Sequence, residues 1–306
     1  MTDGNPAAER PPVTERPPAA PDGIVVVDKP AGWTSHDVVA RMRRLAHTRK
    51  VGHAGTLDPM ATGVLLIGVG KATRLLGHLA LTEKGYDGTI RLGATTNTDD
   101  AEGEILTTTT ADGITDAAIA AAVAPLTGPI QQVPPQVSAI KVDGQRAYKR
   151  ARAGEDVAMA PRPVTVHELS VLAIRREAGV VDVDVRVRCS SGTYIRSLAR
   201  DLGEALGVGG HLAALRRTAV GAFDLTQART LDELAEECTV VPLADVVAAT
   251  FPRRDVDAAT AAAVAHGGRL SPSAGEGPVG VFGPDGLLAL FENRDGAARP
   301  LVVFVP

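Results

Sequence analysis

Cysteine is nearly absent. Cys189 and Cys238 are the only two; they stand far apart in apolar surroundings, and neither has a metal-ligand spacing. A disulfide framework is therefore excluded, and buried free thiols in a reducing cytoplasm are expected. Long apolar runs are missing too: none approaches the roughly 18 residues of a membrane helix. The N-terminus "MTDGNPAAERPPVTERPPAAPDG" has no apolar centre, which excludes a secretory signal. Its proline and charge predict a disordered tail over residues 1–22. "GVGKAT" lacks the spacing of a phosphate loop, because residue 65 is Leu rather than Gly and Ala72 follows Lys71. No Gly-x-Ser-x-Gly elbow occurs, and no internal repeat is visible. An excess of positive charge is also lacking, since the formal net charge is −4.

What remains describes an ordinary globular chain. Its 306 residues are 44% hydrophobic, with a mean hydropathy of +0.05, enough for one large or two modest domains. The charge is unevenly spread. Asp3, Glu9, Glu15 and Asp22 outweigh Arg10 and Arg16 in the tail, so the body is nearer neutral. That body carries two basic clusters: Arg41, Arg43, Arg44, Arg49 and Lys50, then Lys141, Arg146, Lys149, Arg150 and Arg152 around Tyr148. Each reads either as a solvated face or as part of a phosphate-binding stripe.

Along the chain, "GIVVVDKPAGWTS" opens with a buried strand. Thr34 followed by Asp37 predicts a capped helix start, with Val38, Val39, Met42 and Leu45 on its apolar face. "GKATRLLGHLAL" and "DAAIAAAVAPLTG" read as helices. "VVDVDVRVRC" alternates, placing Val181, Val183, Val185, Val187 and Cys189 on one face of an antiparallel strand. Ile195, Leu198, Leu202 and Leu206 then recur at helical spacing. Strands and helices mix without a βαβ rhythm, which favours an α+β fold. From about residue 250 a helix and three short strands form a small, mostly β unit.

The segment "KVGHAGTLDPMATGVLLIGVG" poses the functional question. Asp58 lies at a tight turn against a greasy strand. As a helix cap it would serve at most one turn, Pro59 to Thr62, before Gly63 and the strand. As a glycosidase nucleophile it would need Asp99, Asp100 or Glu102 of "TNTDDAEGE" as partner.

Five segments in order, "DKPAGWTS", "GHAGTLDPMATGVLLIGVGKATR", "KGYDGTIRLGATTNTDDAEG", "CSSGTYIRSLARDLG" and "HLAALRRTAVG", resemble the TruB family of pseudouridine synthases over residues 23 to 245. That family acts on uridine-55 in the TΨC arm of tRNA. The resemblance implies a mixed-sheet pseudouridine synthase fold over residues 23–249, with an RNA-binding insertion, and a PUA-like domain over 250–306. It makes Asp58 the catalytic carboxylate, facing a base flipped out of the RNA. Tyr86 matches the aromatic residue on that base. Tyr194 and Arg196 match residues near base and carboxylate, Arg196 being expected to pair with Asp58. Leu215 matches a pocket wall, and His53 the filler of the gap left by the flipped nucleotide. Lys29, Pro30 and Gly32 match a block that shapes the fold rather than doing chemistry, and Asp100 an acidic position near the site. Lys29, Asp100, Arg146, Lys149 and Arg150 are also candidate RNA contacts, and Asn97 stands where relatives often carry Asp. No metal or cofactor is implied. The partner would be tRNA, without guide RNA or membrane, and the protein a cytoplasmic monomer. Competing readings are a non-catalytic RNA-folding helper, a nucleoside hydrolase using the same Asp58, and a guide-RNA-dependent relative.

Overall fold

The computed structural model describes residues 18–136, 159–273 and 275–305, together with the backbone of 141–142 and 145–146. Lys149, Arg150 and the side chain of Arg146 lie outside the described residues, as does most of the N-terminal tail.

Apolar runs make the central strands. In β1 (Gly23–Lys29) the run Ile24–Val27 is buried throughout. Its period of two sends Ile24 and Val26 into one core and Val25 and Val27 into another. The helix α1 (Ser35–Leu45) covers the second core with Val38, Val39 and Met42. It starts at the expected capping box, in which Thr34 and Asp37 each accept the other's backbone N–H.

The other main strands of the large sheet are β2 (Val51–Ala54), β3 (Thr62–Val69), β4 (Lys84–Leu92), β5 (Gly128–Gln132), β6 (Arg162–Glu177), β7 (Val180–Cys189) and β8 (Gly210–Val220), with the two-residue pieces Phe223–Asp224 beside β8 and Val241–Pro242 beside β1. Their order is Val241–Pro242, β1, β3, β8, β4, β7, β6, β5. Neighbours run antiparallel except β3 and β8, which pair in parallel at Thr62 with Arg216 and Gly63 with Arg217. The sheet is thus two antiparallel halves joined at a short seam. β1 takes one edge of β3. The other edge is shared: β2 pairs with Leu66–Val69, and β8 takes over at 62–63. The chain from 55 to 61 turns in the gap between them.

β7 alternates as its sequence predicts. Val181, Val183, Val185, Val187 and Cys189 are buried under α2 (Asp116–Val123) and α3 (Ile195–Ala205). Its charged face is paired: Asp182 with Arg91 at 2.7 Å and Arg186 with Asp87 at 2.9 Å. Ile195, Leu198 and Leu202 bring α3 onto this core. Cys189 is free, and burial pushes its thiol up to about 11.

One helix is broken relative to expectation. "GKATRLLGHLAL" forms a 3₁₀ segment, Gly70–Arg74, then a single α turn, Leu76–Leu79. Glycine at 77 disfavours a continuous helix, and Asp22 caps the segment by accepting from Lys71 N at 2.7 Å.

The C-terminal unit has four strands, not three. β9 (Arg253–Asp255) lies parallel to β10 (Pro278–Gly283), followed by β11 (Gly286–Arg294) and β12 (Ala297–Val303), with the helix Ala258–Ala265 against them. Three residues, all charged, gave β9 no apolar signature. Phe282, Leu290 and Phe304 join the core of Ile24, Val26 and Leu66. Lys71 Nζ donates to Phe304 O at 2.9 Å and Arg74 to Val303 O at 2.8 Å. The expected α+β class with a small β unit is the observed one.

Candidate active site

Asp58 sits in the link from β2 to β3, where the sheet halves meet. No helix follows it. Ala61 N donates to Asp58 O at 3.1 Å, closing a turn, so the helix-cap reading of Asp-Pro fails. Residues 55–58 belong to no strand or helix, and their backbone groups need other partners. Buried side chains supply them. Ser35 Oγ accepts from Leu57 N at 2.9 Å and donates to Leu57 O at 3.1 Å. Arg217 donates to Gly55 O at 3.1 Å and Thr56 O at 3.4 Å. Lys29 donates to Pro59 O at 3.1 Å.

The carboxylate itself faces α3. Arg196 Nε lies 3.0 Å from Asp58 Oδ2 and 3.6 Å from Asp100 Oδ2, and Nη1 donates to Thr98 O at 2.9 Å. The side chains of Arg196 and Asp100 are 7% and 5% exposed, that of Asp58 35%. Of the three, Asp58 is the one presented to an incoming molecule. One turn along α3, Arg200 binds Asp99 at 3.0 Å. Asp99 has φ 59, a left-handed value that Asp tolerates better than most residues.

Two sequence assignments need correction. Lys29 is fully buried, its ammonium donating to Pro30 O, Trp33 O and Pro59 O, so it grips backbone rather than phosphate. Asp100 is also buried and accepts from Thr98 Oγ1 at 2.6 Å and Glu102 N at 3.1 Å. It is a second carboxylate for Arg196, not an RNA contact.

Tyr86 on β4, Leu215 on β8, Leu57 and Ile195 share one apolar cluster, with Met60 at its margin. Tyr194 precedes α3 and is held through its backbone by Gln132, which accepts from Tyr194 N at 2.8 Å and donates to Tyr194 O at 3.0 Å. His53 on β2 is half-buried, its ring edge-on to His36 at 5.5 Å. Burial, and then the charge of His36, lowers its proton affinity. A cleft of about 510 Å³ opens alongside, lined among others by Met60, Gly88, Glu102 and Leu215. Its size suits a small-molecule or nucleoside fragment.

The sequence reading missed Ser35, Gln132, Lys84 and Arg217. A signal existed for Arg217. It falls two residues after Leu215, on an inward position of an alternating strand.

Two buried lysines give a pH prediction. Burial brings the Lys29 ammonium down to about 8, against the attraction of Asp58 and Glu102. Burial, then the charge of Arg217, brings Lys84 to about 8. Both folded values lie below the ordinary 10.5, so the unfolded chain holds more protons across that window. These two groups therefore oppose folding below about pH 8, and their contribution becomes more favourable as pH rises towards 10.5. Lysine Cε NMR should show two resonances titrating near 8. Both following the other lysines near 10.5 would contradict this burial effect.

Comparison with known proteins bears on this arrangement. The TruB family pseudouridylate synthase N-terminal domain model matches residues 43–195. Models for the C-terminal domain of tRNA pseudouridylate synthase B and the C-terminus of tRNA pseudouridine synthase II match 196–246 and 251–305. The chain is 67% identical to a protein of Thermobifida fusca (strain YX) named tRNA pseudouridine synthase B, over 92% of this chain and 98% of that one. It is 60% identical to one of the same name from Streptomyces griseus, over 93% and 97%. Among solved structures, a chain of a Cbf5-Nop10-Gar1 complex aligns with TM-score 0.70 at 28% identity, covering 93% of this chain and 85% of that one. A chain of an H/ACA RNP bound to a substrate RNA containing 2'-deoxyuridine aligns equally well, TM-score 0.70, at 26% identity over the same shares. With these matches spanning nearly its whole length, the chain belongs to the TruB family of pseudouridylate synthases.

Proposed function

We propose that this protein isomerises uridine-55 in the TΨC arm of tRNA to pseudouridine, with Asp58 as the reacting carboxylate. The observation that carries the reading is the Asp58–Arg196 pair at 3.0 Å, partly open to solvent on the side of Asp58 and closed on that of Arg196. It supports the activity named for relatives up to 67% identical to the chain.

The reaction breaks the N1–C1′ bond and joins C5 of the same base to C1′; N1 gains a proton as C5 loses one. Nothing is added to the RNA, so its mass is unchanged. A flipped uridine would enter beside Tyr86 and Leu215, and His53 would fill the space it leaves, offsetting an unstacking cost of a few kcal/mol. Asp58 then meets C1′, C6 or the 2′ proton of the sugar, as nucleophile or base. Arg196 aims the carboxylate. The turn around it is fixed by buried partners, so little reorganisation accompanies the reaction.

Residues 23–249 form the catalytic domain in this reading, and residues 250–306 a PUA-like accessory domain. The basic residues Arg146, Lys149 and Arg150 of the insertion contact tRNA phosphates. The protein acts as a cytoplasmic monomer without guide RNA. The solved neighbours come from H/ACA complexes, so the test must separate the two modes. The purified protein alone is incubated with unmodified tRNA transcript, and pseudouridine is mapped by carbodiimide primer extension. One stop at position 55 is expected. A need for added guide RNA would overturn the stand-alone mode, and release of free uracil would indicate a hydrolase.

A further inference from the structure

Arg217 is buried to 1% exposure, the largest side chain so enclosed among the described residues. Its guanidinium donates to Val64 O at 2.7 Å, Gly55 O at 3.1 Å and Thr56 O at 3.4 Å. Among the described residues no carboxylate pairs with it. Its backbone stands at the seam, opposite Tyr86 on β4 and Gly63 on β3. The approach there is so close that a Cβ at Gly63, where φ is +98, would lie 2.2 Å from Arg217 O.

As a mere space-filler this residue is costly. An apolar side chain would close the seam without desolvating a charge, and the two strands already pair through their backbones. What the guanidinium adds is a rigid planar fork with five donors. Asp58 hangs from the half of the sheet built on β2 and β3, and Tyr86 from the half built on β4. Arg217 holds both.

We propose that Arg217 is a positioning residue, setting the Asp58 turn relative to the strand that carries Tyr86 across the seam. The inference rests on the reading above, in which both residues meet the uridine. Burial pushes the Tyr86 phenol up, and the charge of Arg217 opposes that shift. Neither Lys84 nor Lys29 supplies such a fork: their ammonium groups are spent on Ala80 O and Thr82 O, and on Pro30 O, Trp33 O and Pro59 O.

The test compares wild type, Arg217→Lys, Arg217→Gln, Tyr86→Phe and the Arg217→Lys/Tyr86→Phe double variant on tRNA transcript. Single-turnover rates are measured beside tRNA affinity and thermal midpoint. Arg217→Lys should lower the rate about a hundredfold, as misplacement by an ångström does, with affinity nearly unchanged. Losses in the double variant should be clearly less than multiplicative, because the alignment that Arg217 sets matters only while Tyr86 can use it. Arg217→Gln keeps a neutral donor at the turn and should fall in the same way, which preserves the test if the lysine variant folds poorly. Wild-type rates in the folded Arg217 variants, or multiplicative losses with rate and affinity falling together, would overturn the inference alone. A wild-type protein inactive on tRNA would overturn the functional reading and this inference with it.

Discussion

Asp58→Asn is expected to lower pseudouridine formation by about 10⁴-fold or more, while tRNA affinity barely changes. The amide has nearly the carboxylate's size but cannot act as an anionic nucleophile or base. The two neighbouring aspartates cannot take over. Asp100 is 5% exposed and engaged with Arg196, Thr98 and Glu102, and Asp99 is bound to Arg200. Stability should fall modestly, by about 2 kcal/mol for one weakened charge-assisted hydrogen bond, because Arg196 keeps Asp100 and Thr98 O. The turn should hold too, since its backbone is tied by Ser35, Arg217 and Lys29 rather than by the Asp58 side chain. Primer extension and thermal melts check both halves. Substantial turnover by the folded variant would remove Asp58 from the mechanism.

That separation of tasks explains which parts of the site could be read from sequence. β7 was legible because one face is buried and the other wet, so its alternation is complete. Asp58 was legible because a lone acid against "VLLIGVG" is locally out of place. The partners of the turn were not, because each comes from a distant segment: Ser35 from α1, Lys29 from β1, Arg217 from β8. Lys29 shows the difficulty most plainly. Its block reads as one that shapes the fold, yet the same lysine also served as a candidate RNA contact, and only the structure shows its ammonium satisfying three carbonyls inside the fold. Nothing local distinguishes a cation that grips backbone from one that grips phosphate. The seam between β3 and β8 was equally hidden, being a two-residue pairing between strands more than a hundred positions apart. The interrupted helix after Gly70 was a failure of a different kind. Its apolar spacing was helical, but the chain runs as a 3₁₀ segment to Arg74 and as an α turn only from Leu76.

Arg196 gives the second large effect, and it should strike stability and activity together. Arg196→Met removes the cation between Asp58 and Asp100, the latter almost fully enclosed. Leaving a buried charge without its partner costs about 3–5 kcal/mol, which lowers the melting midpoint by roughly 10 °C for a chain of this size. Activity should fall to the level of Asp58→Asn, because the carboxylate loses the group that aims it. Arg196→Lys keeps the charge but not the fork that reaches Asp58 and Thr98 O together. It should melt close to wild type yet lose about a hundredfold in rate. Adding Asp100→Asn to Arg196→Met separates the two effects. The buried charge is then gone from both sides of the pair, so stability should recover in large part, while activity should not. Thermal melts and single-turnover rates on the three variants provide the measurement. Recovery of activity along with stability would mean that Arg196 serves only to neutralise Asp100, and that Asp58 needs no partner to react.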